Sequence, residues 1–174
     1  HLADAEGRLG LRPLGGACVA GDLLEEAERL LELAAALANN PQVGKVDLLT
    51  RQVIDSHVSA DYARTREAIN DKASIVRIEA GPEGYLRKEL LWDYLDSFAD
   101  NALEYLRQQP RLPDLIHSHY ADAGYIGSRL SSHLGIPLAH TGHSLGRVKR
   151  RRLLASGVKR DEIETRYNMS RRVE

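Results

Sequence analysis

Short apolar runs that alternate with helix-length segments are the feature that most restricts how this chain folds. Four runs are predicted strands, at residues 46–50, 74–78, 114–117 and 136–140. Segments with apolar residues three and four positions apart are predicted helices, at residues 22–39, 88–108, 122–134, 148–156 and from 159 onward, with a shorter one at 62–69. Strands that are joined by helical connections pair in parallel. The pattern therefore predicts an α/β fold, a Rossmann-like doubly wound parallel sheet.

The composition is that of a folded domain rather than of a disordered or membrane-spanning chain. Hydrophobic residues make up 43% of the 174 residues and charged residues 28%, and no apolar run reaches the roughly 20 residues that a bilayer crossing needs. The first residues show no signal-peptide pattern. Cys18 is the one cysteine, which excludes an internal disulfide and a cysteine-rich zinc site and predicts a packed thiol. We therefore expect a reducing, cytoplasmic setting and no membrane partner.

Charge is distributed unevenly along the chain. Between Arg147 and Arg172 lie ten Lys or Arg residues and three Asp or Glu residues, although the whole chain has a net charge of −1. A cationic end on a near-neutral chain predicts an anionic ligand for that end, and a solvated helical face is the alternative. We do not expect a nucleic acid as the ligand, because Tyr167 is the one aromatic residue within the basic run.

Polar clusters follow the last two predicted strands. They occupy residues 117–124 and 140–149, and together they contain four of the seven histidines of the chain. Ligands of open α/β sheets bind beyond the carboxyl ends of the strands. These two clusters are therefore the candidate site, and three interpretations of them stay open from the residues alone.

The first interpretation is a metal site with ligands from His117, His119, His140 and His143. We disfavour this interpretation because no established metal-binding spacing is present. The second is structural, with His117 and His140 as hydrogen-bonded core or interface residues inside strands. The third is a sugar and phosphate site. A glycine on each side of the loop around His143 brings the backbone close to a ligand, the ring hydrogen-bonds a sugar hydroxyl, and Lys149 attracts a phosphate.

Six segments carry a resemblance to a known family. They are VDLLTR (46–51), YLRKELL (85–91), LDSFADNA (95–102), PDLIHSHYADAG (113–124), GIPLAHTGHSLGRVK (135–149) and YNMSRRVE (167–174). In these segments the chain closely resembles sucrose-phosphate synthases of the bacterial and cyanobacterial type, retaining glycosyltransferases of family four with the GT-B fold. The resemblance implies transfer of glucose from UDP-glucose to fructose 6-phosphate. This chain would supply the N-terminal, acceptor-binding half of the GT-B fold.

The resemblance also implies roles for six residues. His143 matches the histidine that contacts the transferred glucose and assists the transition state, which makes it the expected catalytic residue. Five residues match acceptor-side positions that bind the sugar phosphate: Lys88, Tyr120, Lys149, Arg171 and Arg172. The cationic residues among them agree with the anionic ligand that the charge distribution predicts.

The N-terminal segment departs from the family pattern. The first strand and the Gly-Gly-Gln motif of the family are not found there, and Gly15-Gly16 lies nine residues too early to match. We therefore expect an atypical segment at residues 1–30 and a Rossmann-like acceptor-binding domain at residues 31–174. The C-terminal domain that binds UDP-glucose in this family is not part of the sequence, so we expect no turnover from this chain alone.

No cofactor and no metal ligand are implied by the resemblance, and Mg²⁺ as an activator stays open. The expected ligands are fructose 6-phosphate and, through the second domain, UDP-glucose. The alternative function is that of a non-catalytic module that binds a sugar phosphate or regulates an enzyme.

Overall fold

The computed structural model describes residues 20–143 and 145–167. The Gly15-Gly16 pair, Cys18, Arg171 and Arg172 lie outside these described residues. The chain divides into two compact units, which we call unit 1 (residues up to 79, with 83–85) and unit 2 (residues 80–82 and from 86 onward). The described strands form one sheet of three strands and one of two, and each sheet contains a parallel pair. The predicted α/β class with parallel strands is confirmed.

Unit 1 contains a helix that packs on a three-stranded sheet. Its elements are α1 (Ala20–Asn39), β1 (Val46–Arg51), a 3₁₀ helix (Ala60–Ala63), β2 (Arg66–Ala68) and β3 (Ala73–Ile78). Strand β3 lies in the centre, parallel to β1 and antiparallel to β2. Helix α1 buries Leu31, Ala34 and Ala38, which recur at helical spacing, as the amphipathic pattern predicts.

The predicted helix at residues 62–69 is wrong. Its first residues belong to the 3₁₀ helix, and its later ones form β2, which continues into β3 through a hairpin turn. In this turn the side-chain oxygen of Asn70 accepts hydrogen bonds from the backbone N–H groups of Lys72 (3.0 Å) and Ala73 (2.8 Å). The turn and the pairing with β3 satisfy the backbone groups that a helix would have satisfied locally.

Unit 2 contains a parallel strand pair and most of the helices. Its elements are a 3₁₀ helix (Lys88–Tyr94), α2 (Leu95–Arg107), β4 (Ile116–His119), α3 (Tyr120–Leu134), β5 (Leu138–Thr141), α4 (Gly146–Ala155) and α5 (Arg160–Tyr167). Helix α3 connects the two parallel strands and packs against both. It ends at Gly135, which has the left-handed conformation (φ +67°) that the predicted helix stop requires. No helix in the described part of the chain is long and apolar enough to cross a membrane.

The first helix of unit 2 begins later than predicted. Residues 88–94 form a 3₁₀ helix, and the α-helix begins at Leu95. The buried residues that recur at α-helical spacing begin at the same position: Leu95, Phe98, Ala99, Ala102 and Leu106. The preceding Leu90 is exposed, so no buried stripe extends the α-helix toward the N-terminus.

Both strands of unit 2 begin two residues later than predicted. Pro137 has no N–H group, and its carbonyl oxygen accepts a hydrogen bond from the backbone N–H of Ile116 (3.0 Å). The parallel ladder therefore starts with Ile116 opposite Leu138 and ends with His119 opposite Thr141. This register places His119 at the carboxyl end of β4, beside the end of β5.

Helix α3 approaches the strand pair closely at Gly127, and we expect Gly127→Val to destabilise the chain by about 1–3 kcal/mol through overpacking. A Cβ at this buried position would lie 2.9 Å from Leu138 Cδ1 and 3.1 Å from Ser118 Cβ. The matched control is Ser128→Val, which adds the same side chain at the next, exposed position of the helix. Urea unfolding of both variants measures the difference. Equal unfolding midpoints would show that the packing adjusts without cost.

Candidate functional site

The carboxyl ends of β4 and β5 bring the histidines of the two polar clusters together. The strands are parallel and adjacent, so both ends lie at the same edge of the sheet. His117 and His119 are two residues apart on β4, and their ring centroids are 4.3 Å apart. This confirms that the strand presents both rings on one face.

His143 lies between His119 and Tyr120. Nδ1 of His119 and Nε2 of His143 are 2.9 Å apart, which is a hydrogen bond between the two rings. The Tyr120 ring stacks on the His143 ring, with a centroid distance of 4.3 Å and an angle of 16° between the ring planes. The expected catalytic residue and one expected acceptor-side residue are thus in direct contact.

Tyr120 holds its position with a strained backbone. It is the first residue of α3, directly after β4, and its φ of +68° is the one positive value among the described residues other than glycine. A bulky side chain seldom adopts this conformation, which costs about 1–3 kcal/mol and occurs most often at functional sites. The strained turn places the tyrosine ring against His143.

The other two histidines of the clusters are hydrogen-bonded but not buried. His117 Nε2 is 2.8 Å from Thr141 Oγ1, and His140 Nδ1 is 2.9 Å from Ser118 Oγ. Both imidazoles are exposed. The interpretation of His117 and His140 as hydrogen-bonded histidines is confirmed, but neither is buried in a core. His140 lies beside α3, where a Cβ at Gly124 would be 3.0 Å from its Cε1. A role of either histidine at an interface stays a prediction.

The described residues contain no group of three or more His, Cys, Asp or Glu side chains with the arrangement of a metal site. Among the four histidines of the clusters, His119 and His143 have ring nitrogens that face each other, and these two nitrogens are hydrogen-bonded to each other. A metal ion would need both of these lone pairs. The arrangement therefore fits hydrogen bonding better than metal coordination.

The surroundings of His119 change the ionisation of its ring. Burial lowers the pKa of the His119 imidazole below its ordinary value, and the neighbouring rings of His117, His143 and His140 lower it further. His119 therefore stays neutral to a more acidic pH than an exposed histidine does. A neutral ring offers one N–H donor and one acceptor nitrogen.

The cationic residues occupy the helices that follow the site. Helix α4 begins at Gly146, three residues after His143, and carries five Lys or Arg residues and no acidic residue. Lys149 lies in its first turn and is half-buried, with its backbone N–H bonded to the carbonyl of Leu145 (3.0 Å). Lys88 is exposed at the start of the 3₁₀ helix of unit 2. The binding roles of both lysines stay predictions, as do those of Arg171 and Arg172.

Sequence reasoning missed one residue of the site, Ser118. Its side chain is nearly fully buried (4% exposed) beneath the histidines and contacts His140. The alternation of a strand indicates that the residue between His117 and His119 faces the opposite side of the sheet. That signal was available, although it did not identify His140 as the partner.

The β4–α3–β5 segment is a parallel βαβ unit with polar side chains at the carboxyl ends of its strands, which is the architecture of the Rossmann-like class of domains. Residues 25–173 match the family model "Sucrose synthase first GT-B domain". Because this match extends over most of the chain, the protein belongs to that family.

Curated and solved relatives agree with the family. The chain is 39% identical over 175 residues to a sucrose-phosphate synthase of Zea mays, and 38% identical over 175 residues to a probable sucrose-phosphate synthase 2 of Arabidopsis thaliana. Each alignment covers 86% of this chain but 16% and 17% of the respective relative. The chain thus spans about one sixth of their length. The resemblance seen in the sequence motifs is confirmed.

A solved structure shows the same fold. The sucrose-phosphate synthase from Thermosynechococcus elongatus matches with a TM-score of 0.60 and 26% sequence identity, over 80% of this chain and 32% of that chain. The expected relation to the N-terminal domain of a GT-B glycosyltransferase is confirmed by this match together with the family model.

Proposed function

We propose that this chain supplies the acceptor-binding part of a sucrose-phosphate synthase-like glycosyltransferase, which transfers glucose from UDP-glucose to fructose 6-phosphate. The observation that carries the proposal is the contact between His143 and Tyr120 at the carboxyl ends of β4 and β5. This is where α/β sheets bind ligands, and the cationic helix α4 follows directly. A polar, aromatic surface beside a cationic one suits a sugar that carries a phosphate.

Each residue has a defined part in this proposal. His143 contacts the transferred glucose, where its ring responds to the charge that develops during transfer. Tyr120 supports that ring and faces the acceptor. The phosphate of fructose 6-phosphate is neutralised by lysine and arginine side chains, because charge-assisted hydrogen bonds to phosphate are about twice as strong as neutral ones. The residues in this role are Lys88, Lys149, Arg171 and Arg172.

UDP-glucose enters the proposal through a second GT-B domain. Glycosyl transfer is a substitution that changes no oxidation state, so the proposal includes no redox cofactor. Mg²⁺ enters only as an activator that a chelation experiment would detect. We place the protein in a reducing, cytoplasmic compartment, since a single cysteine cannot form a disulfide within the chain.

Calorimetric titration of the chain with fructose 6-phosphate tests the acceptor site directly. We expect saturable binding of fructose 6-phosphate and weaker binding of fructose, which lacks the phosphate. Inorganic phosphate alone separates recognition of the sugar from recognition of the anion. Equal affinity for fructose 6-phosphate and inorganic phosphate would contradict a site built for the sugar, and an absence of binding would contradict the proposal.

We expect Lys149→Ala to weaken the binding of fructose 6-phosphate by about 1–3 kcal/mol, because it removes a charge-assisted hydrogen bond to the phosphate. The matched control is Lys159→Ala, which removes an exposed lysine from the segment between α4 and α5. Calorimetric dissociation constants of both variants give the comparison. An unchanged constant for Lys149→Ala would place this lysine on a solvated face without a role in binding.

A further inference from the structure

His143 lies in a loop, and two contacts define the position of its ring. One is the stacking on Tyr120 and the other is the hydrogen bond between His143 Nε2 and His119 Nδ1. Stacking restricts the plane of a ring but leaves it free to turn within that plane or to flip by half a turn. The hydrogen bond determines which edge of the imidazole faces β4.

His119 is well placed to provide this hydrogen bond. It is the last residue of β4, where its backbone is held opposite Thr141 in the parallel ladder, and its ring is half-buried between those of His117 and His143. His143, by contrast, is exposed in the loop between β5 and α4. The more rigid member of the pair is therefore His119.

We propose that His119 is a positioning residue that orients the His143 ring, with Nε2 held toward β4 and Nδ1 presented to the ligand. The two nitrogens of an imidazole lie at different edges of the ring, so a bond at Nε2 turns the Nδ1 edge away from His119. The assignment of a sugar ligand to that edge rests on the proposed function. The orientation of the ring does not.

The groups around His119 favour its neutral form. The ring contacts of His119 are with His117 on the same strand and with His143 in the loop after β5. His140 on β5 acts on His119 electrostatically, and Tyr120 at the start of α3 contacts His143. Each of these histidines opposes a positive charge on His119 when it is itself protonated. A neutral His119 carries a single ring hydrogen, so its Nδ1 either donates that hydrogen to His143 or accepts one from it, and either arrangement selects one tautomer of His143.

Substitutions at position 119 separate this role from simple packing. Asparagine places its amide group near the position of the imidazole Nδ1, glutamine places its amide nearer the position of Nε2, and leucine provides neither. If the Nδ1 contact orients His143, His119→Asn retains the orientation, whereas His119→Gln and His119→Leu lose it. A packing role would rank the variants by side-chain size instead.

Nitrogen-15 NMR of the histidine rings in this chain measures, without any substrate, which tautomer of His143 the hydrogen bond at Nε2 selects. We expect one neutral tautomer of His143 in the unsubstituted protein and in His119→Asn, and a mixture of both tautomers in His119→Leu and His119→Gln. The matched control is His133→Leu, because His133 lies in the last turn of α3 and bonds to a backbone carbonyl of the same helix. In this control the His143 signals stay unchanged.

The same variants give a second result in fructose 6-phosphate titrations. We expect the affinity for fructose 6-phosphate to stay close to that of the unsubstituted chain in His119→Leu and His119→Asn, because the His143 ring that His119 orients is assigned to the transferred glucose and not to the acceptor. A single unchanged His143 tautomer in a folded His119→Leu variant would overturn the proposal. If no sugar phosphate binds any variant but the tautomer still depends on position 119, the proposed function fails and the positioning role stands.

Discussion

We expect His143→Ala to raise the activation barrier by about 2–4 kcal/mol, and so to lower kcat roughly 30-fold to 900-fold, in an enzyme that joins this chain to a second GT-B domain. A suitable enzyme is a hybrid in which this chain replaces the matching segment of the Thermosynechococcus elongatus sucrose-phosphate synthase, with which it shares the fold. Retaining transfer develops positive charge on the glucose and negative charge on the departing UDP phosphate. A ring that contacts the reacting sugar stabilises this charge more in the transition state than in the ground state, so kcat falls much more than the acceptor KM rises.

The experiment measures kcat, both KM values and the melting temperature of the hybrid and its His143→Ala variant. His133→Ala provides the control, because His133 lies on α3 with its ring bonded to the backbone of that helix. A normal kcat in a stably folded His143→Ala hybrid would refute the catalytic role. A parallel loss of kcat, affinity and melting temperature would assign His143 to the shape of its loop, and an unsubstituted hybrid that binds fructose 6-phosphate without turnover would favour a non-catalytic module.

The second large effect concerns the stability of unit 1, where we expect Glu67→Leu to destabilise the chain by about 3–5 kcal/mol. Glu67 on β2 and Arg77 on β3 form a salt bridge of 2.6 Å, with side chains only 12% and 5% exposed. Arg77 also donates to the carbonyl of Arg64 and lies over the ring of Tyr62. Removing the carboxylate leaves a guanidinium charge buried without its counter-ion, which is the costly step.

Two further variants test whether the burial of the Glu67–Arg77 salt bridge causes the loss of stability expected for Glu67→Leu. Asp114→Leu breaks a salt bridge of the same length with Arg111, but those side chains are 79% and 81% exposed, so the expected change is within about 0.5 kcal/mol. The double variant Glu67→Leu with Arg77→Met removes both buried charges and recovers much of the loss, because an apolar pair replaces the ion pair. Equal urea midpoints for Glu67→Leu and Asp114→Leu would contradict this account.

Much of the secondary structure was predictable because its causes lie within short stretches of chain. The apolar spacing of α1 is local, and so is the glycine that ends α3 at Gly135. The errors arose where pairing with a distant segment competed with local spacing. Residues 62–69 contain apolar and charged residues that suit a helix, yet β3 provides hydrogen-bond partners that draw Arg66–Ala68 into a strand.

In the candidate site, too, the sequence indicated which segments belong together but not where each residue lies on its strand. The clusters around His117 and His143 were identified from their residue types and from their place after predicted strands. Both strands were predicted to start two residues too early, however, because the ladder of β4 and β5 starts only where Pro137 accepts the N–H of Ile116. With the predicted boundaries, His119 would lie in a loop instead of at the end of a strand.

The α/β class, the family and the two segments that form the candidate site were predictable from the sequence alone, because each of these depends on local spacing and on recognisable strings of residues. Which histidine meets which partner depends instead on contacts between segments that are distant in the sequence. His119 and His143 are 24 residues apart, as are His117 and Thr141, and 22 residues separate Ser118 from His140. These pairs are set by the register of two parallel strands. That register results from backbone hydrogen bonds and from the close packing of α3 at Gly127, which no local pattern of side chains specifies.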